Sequence, residues 1–236
     1  MSDAVAAFID YNSAEDKLNE AATKIVESAE AIERLIESKT MEPGNDIISG
    51  LLAEHYENNH ISRNEIIAAS LLLSAGNHTS ACLIANGWYQ LLAHPDQYRR
   101  IQANRDILPD AVDEIIRYDP PVILTSRWVS EDLKISGHSM IKYKHILIAL
   151  GAANRDPAVL TDPDTFDITR RPNRHLSFSA GPHYCLGAPL VRMEAETALE
   201  ILLLHLQNPE LLEQPVRTSH TGFRGLKRLM VRTDIV

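Results

Sequence analysis

The sequence predicts a mainly α-helical protein with a minor β part, its helices and strands segregated along the chain rather than alternating. Three observations carry this. Apolar residues recur at helical spacing through much of residues 1–121. Short runs rich in Val, Ile, Thr and Trp fill residues 122–150 and read as strands. A long apolar helical stretch then returns near Leu186 to Leu206. With 236 residues, 44% of them hydrophobic and 23% charged, the chain can bury a substantial core. Ten glycines and no low-complexity tract exclude a disordered or fibrous protein.

The first helix opens on Ser13-Ala-Glu-Asp16, which has the form of a capping box, with Asp16 and Glu20 near the positive end of the helix dipole. Leu18, Ala22, Ile25, Ala29, Ile32 and Ile36 then alternate at steps of four and three, up to a stop at Pro43-Gly44. This narrow seam suits packing on the chain's own core. It also suits a partner helix. A second capping box, Ser62-Arg-Asn-Glu65, opens a helix from about Asn64 to Leu92 whose apolar residues surround much of its circumference, so it is expected to be largely buried. A third helix, about Asp110 to Tyr118, ends at Asp119-Pro120-Pro121 because proline forbids continuation. Ser136-Gly137 and Lys142-Tyr-Lys144 break the β region, and Asn154 to Tyr184 reads as a long ordered loop. In the last helix, Leu199 to Leu206 is expected to be core.

A net charge of −9 and a pI near 5.5 exclude non-specific binding to nucleic acid or an anionic membrane. Uninterrupted apolar runs such as Leu71 to Leu73 and Ile201 to Leu204 are far too short to span a bilayer, and the N-terminus lacks a secretory pattern. A soluble, cytoplasmic protein is expected. The charge is uneven: Ile168 to Met193 holds no acid, but holds Arg170, Arg171, Arg174, Arg192, His175 and His183. That stretch is either a solvated face or a surface that meets an anion. Two cysteines, Cys82 and Cys185, make no disulfide framework.

Cys185 follows a constrained loop, Phe178-Ser-Ala-Gly181-Pro182, and precedes a helix. Helix amides and dipole favour a thiolate there, the form that attacks an electrophile or binds iron. Gly181 and Gly187 let the backbone approach something flat and large. Arg174, His175 and His183 are suited to carboxylates. Inside the second helix, Gly76 costs roughly 1 kcal/mol relative to alanine, a use for which is either a ligand against the backbone or a close helix–helix contact. Thr79 can bond back to the carbonyl of Ala75 and open a small groove. Glu114 and Arg117 share a helical face and can pair.

Phe178-x-x-Gly181-x-His183-x-Cys185-x-Gly187 resembles the haem-binding loop of the cytochrome P450 family. Three further stretches match in the family's order: Ala75-Gly76-Asn77-His78-Thr79 resembles its oxygen-activating stretch, Glu114-Ile-Ile-Arg117 its Glu-x-x-Arg motif, and Ala153-Asn154-Arg155-Asp156-Pro157 a segment of bacterial members. The resemblance implies the C-terminal portion of the cytochrome P450 fold as a single domain over residues 1–236, lacking the family's N-terminal part. It implies haem b (iron-protoporphyrin IX) with Cys185 as axial thiolate, Phe178 near the sulfur, and His183 and Arg127 at the propionates. The Glu114–Arg117 pair would be buried and structural, tying its helix to the loop before the cysteine. Thr79 would help deliver protons to dioxygen, and Cys82 would be a core thiol. The basic stretch from Arg170 to Arg192 would serve propionates and an acidic, ferredoxin-type redox partner.

Three positions depart from the family's pattern. His78 replaces the usual acid before the threonine, Ser179 a frequent glycine, and Lys142-Tyr143-Lys144 the usual proline-lysine-glycine turn. The implied function is a shortened haem-thiolate oxidoreductase acting on a small hydrophobic, secondary-metabolite-type substrate. Self-association through the Leu18 to Ile36 seam would close its open side. The alternative is a haem-independent scaffold, either a non-redox catalyst of cyclisation or rearrangement or an auxiliary to a biosynthetic partner.

Overall fold

Helix α1, Glu15–Met41, carries the seam that its spacing predicts and stops two residues before Pro43. A computed structural model describes residues 14–58 and 60–235 of the chain. Ser13 of the first capping box lies outside the described residues, and Ala14 occupies the N-cap without a side-chain bond. Where the sequence reads as one domain, the chain divides into two compact units between Thr79 and Ser80, inside a long helix.

The first unit holds α1, a short helix α2 (Ile47–Ala53) that the sequence reading missed, a π-helical turn at Glu54–Asn58, and the start of α3 (Arg63–Ala93). Ile36, Leu52 and Ile66 form its buried core, with Ile32 packed against them. The C-terminal end of the seam is therefore an intrachain contact, which removes Ile32 and Ile36 from any partner-facing surface. Ala21 is buried where the regular spacing points to Ala22, which is exposed. The second capping box is present as predicted. The Ser62 amide and hydroxyl both donate to Glu65 Oε2 at 2.7 Å, and the Glu65 amide donates back to Ser62 Oγ at 3.3 Å.

Asp46 caps α2, accepting from the Ser49 amide at 3.0 Å while Lys39 Nζ lies 2.8 Å from its carboxylate. The Lys39 bond, then the Ser49 amide, lower its pKa from the ordinary 3.8 to about 2. A folded-state value below the unfolded one means that its contribution is fully present above 3.8 and lost as the pH falls towards about 2. A carboxyl-carbon NMR titration should show this midpoint, and Lys39→Ala should return it towards 3.8. A midpoint that Lys39→Ala leaves in place would contradict the assigned pairing.

Helix α3 differs along its length. Its second half enters the core of the other unit through Leu83, Trp88 and Leu91, but Leu72 in its first half is 65% exposed, so burial is partial rather than general. Averaged over 18 residues its hydropathy reaches 1.3, and it is long and apolar enough to cross a membrane by length and composition. Counting uninterrupted runs misses this because serines and other polar residues punctuate the helix. Ser70 and Ser74 donate to the helix's own carbonyls at 2.8 and 2.9 Å, which satisfies their hydroxyls locally.

The second unit continues with α4 (Pro95–Ala103), a 3₁₀ turn, and α5 (Leu108–Tyr118), which stops at Asp119-Pro120-Pro121 as predicted. Strands β1 (Leu124–Trp128) and β4 (His145–Ala149) pair antiparallel around a hairpin of β2 (Leu133–Ile135) and β3 (His138–Met140). Ser136 and Gly137, with φ of 47° and 84°, form its two-residue turn, and positive φ at both positions matches the right-handed strand twist. Tyr143, at the middle of the Lys142-Tyr143-Lys144 turn, takes φ 67°, a left-handed conformation that residues other than glycine adopt with strain. A short helix α6 (Leu150–Ala153) leads into the long loop, and α7 (Ala188–His205) follows it. Within the stretch Leu199 to Leu206, Leu199 and Leu203 are buried while Ile201 and Leu204 are exposed, because one face of α7 meets the core. Strands β5 (Leu206–Leu211) and β8 (Val231–Ile235), and β6 (Val216–Arg217) and β7 (Leu226–Arg228), form two more antiparallel pairs that the sequence reading did not anticipate.

Candidate haem-binding site

The loop that presents Cys185 is fixed first by α5. Glu114 and Arg117 are both 0% exposed, and Arg117 Nε and Nη2 donate to the two oxygens of Glu114 at 2.7 and 2.8 Å. The remaining Arg117 donors reach the carbonyls of Asn154, Pro163 and Thr165 at 2.9, 2.8 and 3.1 Å. Glu114 in turn accepts from the Asp167 amide at 2.9 Å, Arg170 Nε at 3.3 Å and Asn173 Nδ2 at 3.1 Å. Such saturation is what a fully desolvated ion pair requires. Asn154 extends the brace: its Oδ1 accepts from the Leu176 amide at 2.7 Å and its Nδ2 donates to Ser177 Oγ, also at 2.7 Å. Ser177 Oγ donates to the Ile116 carbonyl at 2.6 Å. The pair ties α5 to the loop before the cysteine, as the resemblance implied.

From there the chain turns tightly. Ser179 and Gly181 have φ of 62° and 71°, and the Cys185 amide donates to the Phe178 carbonyl at 3.0 Å. The left-handed conformation costs serine roughly 1 kcal/mol, which glycine would avoid. The Ser179 hydroxyl offsets this in part by accepting from Arg127 Nη2 at 3.3 Å, joining β1 to the cysteine loop. Arg127 also donates to the Ser126 carbonyl at 2.7 Å. A 3₁₀ turn at Gly181–His183 leaves His183 exposed and Cys185 half-buried. A methyl group on Gly181 would meet nothing within 4 Å, and one on Gly187 would meet only the Cys185 sulfur, at 3.9 Å. Leu186 beside it is 81% exposed, an apolar side chain left uncovered.

The His175 side chain is 5% exposed. Its Nε2 lies 3.7 Å from Asp113, and its ring lies 5.7 Å from that of Phe178. Its Nδ1 is buried with no hydrogen-bond partner among the described residues. A buried polar atom left so costs about 1–3 kcal/mol. Asp113 also accepts from Arg192 Nε at 2.8 Å, and the Arg192 guanidinium stands 4.7 Å over the Phe178 ring. Burial pushes the Asp113 carboxyl up, but hydrogen bonds from His175 and Arg192, with their charges, outweigh it and hold it below the usual range.

The acid-free stretch is not a bare cationic face. Arg170 pairs with Glu114, Arg171 with Asp110, and Arg192 with Asp113, so α5 supplies carboxylates to three of its four arginines. The expected docking surface for an acidic partner is reduced accordingly. Asp110 and Asp113 were the missed residues, with Asn173. A polar stripe at spacing three and four on α5, read against a stretch lacking acids, was the available signal.

Ala75, Gly76, His78 and Thr79 lie on α3 in the first unit. A methyl group on Gly76 would meet nothing within 4 Å, so the glycine makes no close helix–helix contact among the described residues. Thr79 Oγ1 donates to the Gly76 carbonyl at 2.8 Å, not to that of Ala75, because a bond three residues back is reached from this rotamer. Cys82 packs in the second unit, where a methyl group on Gly225 would stand 2.7 Å from its sulfur.

A thiolate-held haem b would need open space beside the sulfur and donors for two propionates. The residues present fit: half-buried Cys185 between uncrowded glycines, exposed His183 two positions before it, and Arg127 at the loop. The sequence model of the family described as Cytochrome P450 matches residues 5–225. The chain is 38% identical over 225 residues to the "Biotin biosynthesis cytochrome P450" of Bacillus subtilis (strain 168), covering 94% of this chain and 57% of that protein. It is 40% identical to the "6-deoxyerythronolide B hydroxylase" of Saccharopolyspora erythraea, over 85% of this chain and 51% of that one. Among solved structures, that of P450BioI in complex with hexadec-9Z-enoic acid ligated acyl carrier protein superimposes with a TM-score of 0.93 at 35% identity, covering 99% of this chain and 60% of the other. The chain thus spans about half to three-fifths of the length of these relatives.

Proposed function

The chain belongs to the cytochrome P450 family, and from that premise we propose that it is a haem-thiolate oxidoreductase acting on a small hydrophobic molecule of the secondary-metabolite type. The observation that carries this reading is the Cys185 loop, whose half-buried sulfur, open glycine flanks and bond to Arg127 suit one flat, dianionic cofactor. Bound haem supplies the redox chemistry, activating dioxygen or peroxide for transfer of an oxygen atom to substrate. Cys185 holds the iron as thiolate, its amide anchored on the Phe178 carbonyl. Arg127 and His183 would hold the propionates, and His175 packs against Phe178 in the same loop. On α3, Gly76 has open space where a side chain would stand, and Thr79, beside His78, holds its hydroxyl proton on the Gly76 carbonyl as a source for proton delivery. A ferredoxin-type donor supplies electrons. The relatives named for biotin biosynthesis and 6-deoxyerythronolide B hydroxylation support the substrate class.

The test is an absorption spectrum of the purified protein with haem supplied, before and after reduction under carbon monoxide. A strongly red-shifted Soret band is expected, lost entirely in Cys185→Ser while circular dichroism is unchanged. No haem uptake would overturn the reading and leave the haem-independent alternatives, a non-redox catalyst or an auxiliary protein.

A further inference from the structure

Strand β4 lies at the edge of its sheet, with β1 as its one neighbour among the described residues. Its register, together with the bond from the Val129 amide to the Lys144 carbonyl at 2.9 Å, fixes which residues face β1. Lys144, Ile146 and Ile148 turn their backbone groups inward, so Leu147 and Ala149 turn theirs to the open edge. The side chains are open too: Leu147 is 51% exposed on one face of the strand and Ile148 37% on the other. The far edge of the sheet, along β1, is taken. Val122 bridges to Phe223 there, and the Ser126 carbonyl accepts from Arg127 Nη1 at 2.7 Å. Edge strands are usually blunted by proline, lysine or a bulge. His145-Ile-Leu-Ile-Ala149 has no proline, no lysine and no shift of register.

We propose that β4 is a homodimer interface, pairing antiparallel with β4 of a second copy about Leu147, so that two two-stranded sheets join into one of four strands. The strand is self-complementary in that register. Leu147 meets the partner's Leu147, Ile146 meets the partner's Ile148, and His145 meets the partner's Ala149. Leucine then packs on leucine across one face and isoleucine on isoleucine across the other. His145, stacked on Trp128 with ring centroids 4.6 Å apart, is the bulkiest position of the strand, and it falls opposite the smallest. A strand of another chain would satisfy the same backbone groups but would owe nothing to this match. Charge selects the same direction. Lys142 and Lys144 precede the strand. Antiparallel pairing sends them to opposite ends of the interface, whereas parallel pairing would set like charges side by side. Because the far edge is taken, the contact closes at two copies instead of running on as a fibre. Pairing of this kind needs no cofactor.

Light scattering across a concentration series should give about twice the 26.3 kDa chain mass at the upper end. Leu147→Pro should return it to one copy. Proline there removes only an outward-facing amide, so the bonds to β1 are kept, which circular dichroism checks. Leu147→Lys keeps every amide and should also give one copy, by setting two ammonium groups face to face at the symmetry axis. Cross-linking under oxidation reads the register, with the parent, which has Cys82 and Cys185 alone, as background. Leu147→Cys should join to itself, since facing residues of an antiparallel pair lie within disulfide reach. Ile146→Cys should not, because it faces the partner's Ile148, whereas a mixture of Ile146→Cys and Ile148→Cys should. A parent that is monomeric at every concentration overturns the proposal and leaves the edge to a strand of a different chain. A dimer that survives both Leu147→Pro and Leu147→Lys overturns it too, since its interface then lies elsewhere. Equal self-linking of Leu147→Cys and Ile146→Cys overturns the register.

Discussion

Replacing Arg117 with methionine should destabilise the second unit by about 3–5 kcal/mol and remove haem uptake with it. The methionine fills similar volume, so the loss is one of charge and hydrogen bonding. Glu114 would stay fully buried, its bidentate partner gone and only Arg170 and Asn173 left beside the Asp167 amide. Three backbone carbonyls at Asn154, Pro163 and Thr165 would lose an Arg117 donor in a site from which water is excluded. Arg117→Lys should fare little better, since an ammonium cannot reproduce the fork that meets both Glu114 oxygens. Urea unfolding with an unchanged m-value is the measurement. Lys24→Ala, which breaks an exposed pair with Glu20 on α1, is the control and should lie within error of the parent. Equal effects at the two sites would refute the role given to the buried pair.

Asp119→Ala should cost about 3 kcal/mol and loosen one segment in particular. Asp119 is buried where α5 ends, and it accepts from Arg224 Nε at 2.6 Å, Arg217 Nη2 at 2.7 Å and Gln90 Nε2 at 2.7 Å. The segment it holds is pinned nearby by backbone bonds, from the Arg224 amide to the Pro121 carbonyl at 2.8 Å and from the Ile123 amide to the Gly222 carbonyl at 3.0 Å. Both arginines are partly solvated and can turn to water, which keeps the effect below that at Arg117. Hydrogen exchange should rise first at residues 217–225. Global destabilisation with no local rise would show that Asp119 supports α5 rather than the C-terminal segment.

Much of this was legible in the sequence because local rules agree with the final packing. Ser62 and Glu65 name a helix start whatever follows, and Asp119-Pro120-Pro121 names a stop. The cysteine loop was legible for another reason: few sequences place glycines, a histidine and a cysteine at that spacing. The short strands after Leu206 were not, since their pairing is long-range; Leu206 meets Ile235, and Val216 meets Arg228. Asp113 escaped because an acid on an amphipathic helix reads as a solvent-facing residue until the basic loop folds over it. Thr79 shows the limit at finer scale, where composition identifies the hydroxyl but only the rotamer chooses between the Ala75 and Gly76 carbonyls.

The reach of the Arg117 side chain also bears on how the molecule is assembled in time. Its carbonyl partners lie 37, 46 and 48 positions further along the chain. Helix α5 can form on the microsecond scale from its own residues, whereas the pair gains its full set of acceptors only once that long loop has closed. Contacts of this kind belong to the late side of the folding barrier, so weakening them raises the unfolding limb of a chevron and barely moves the refolding limb. The Glu-x-x-Arg motif thus governs chiefly how long the cysteine loop persists once made, and much less how quickly it is made.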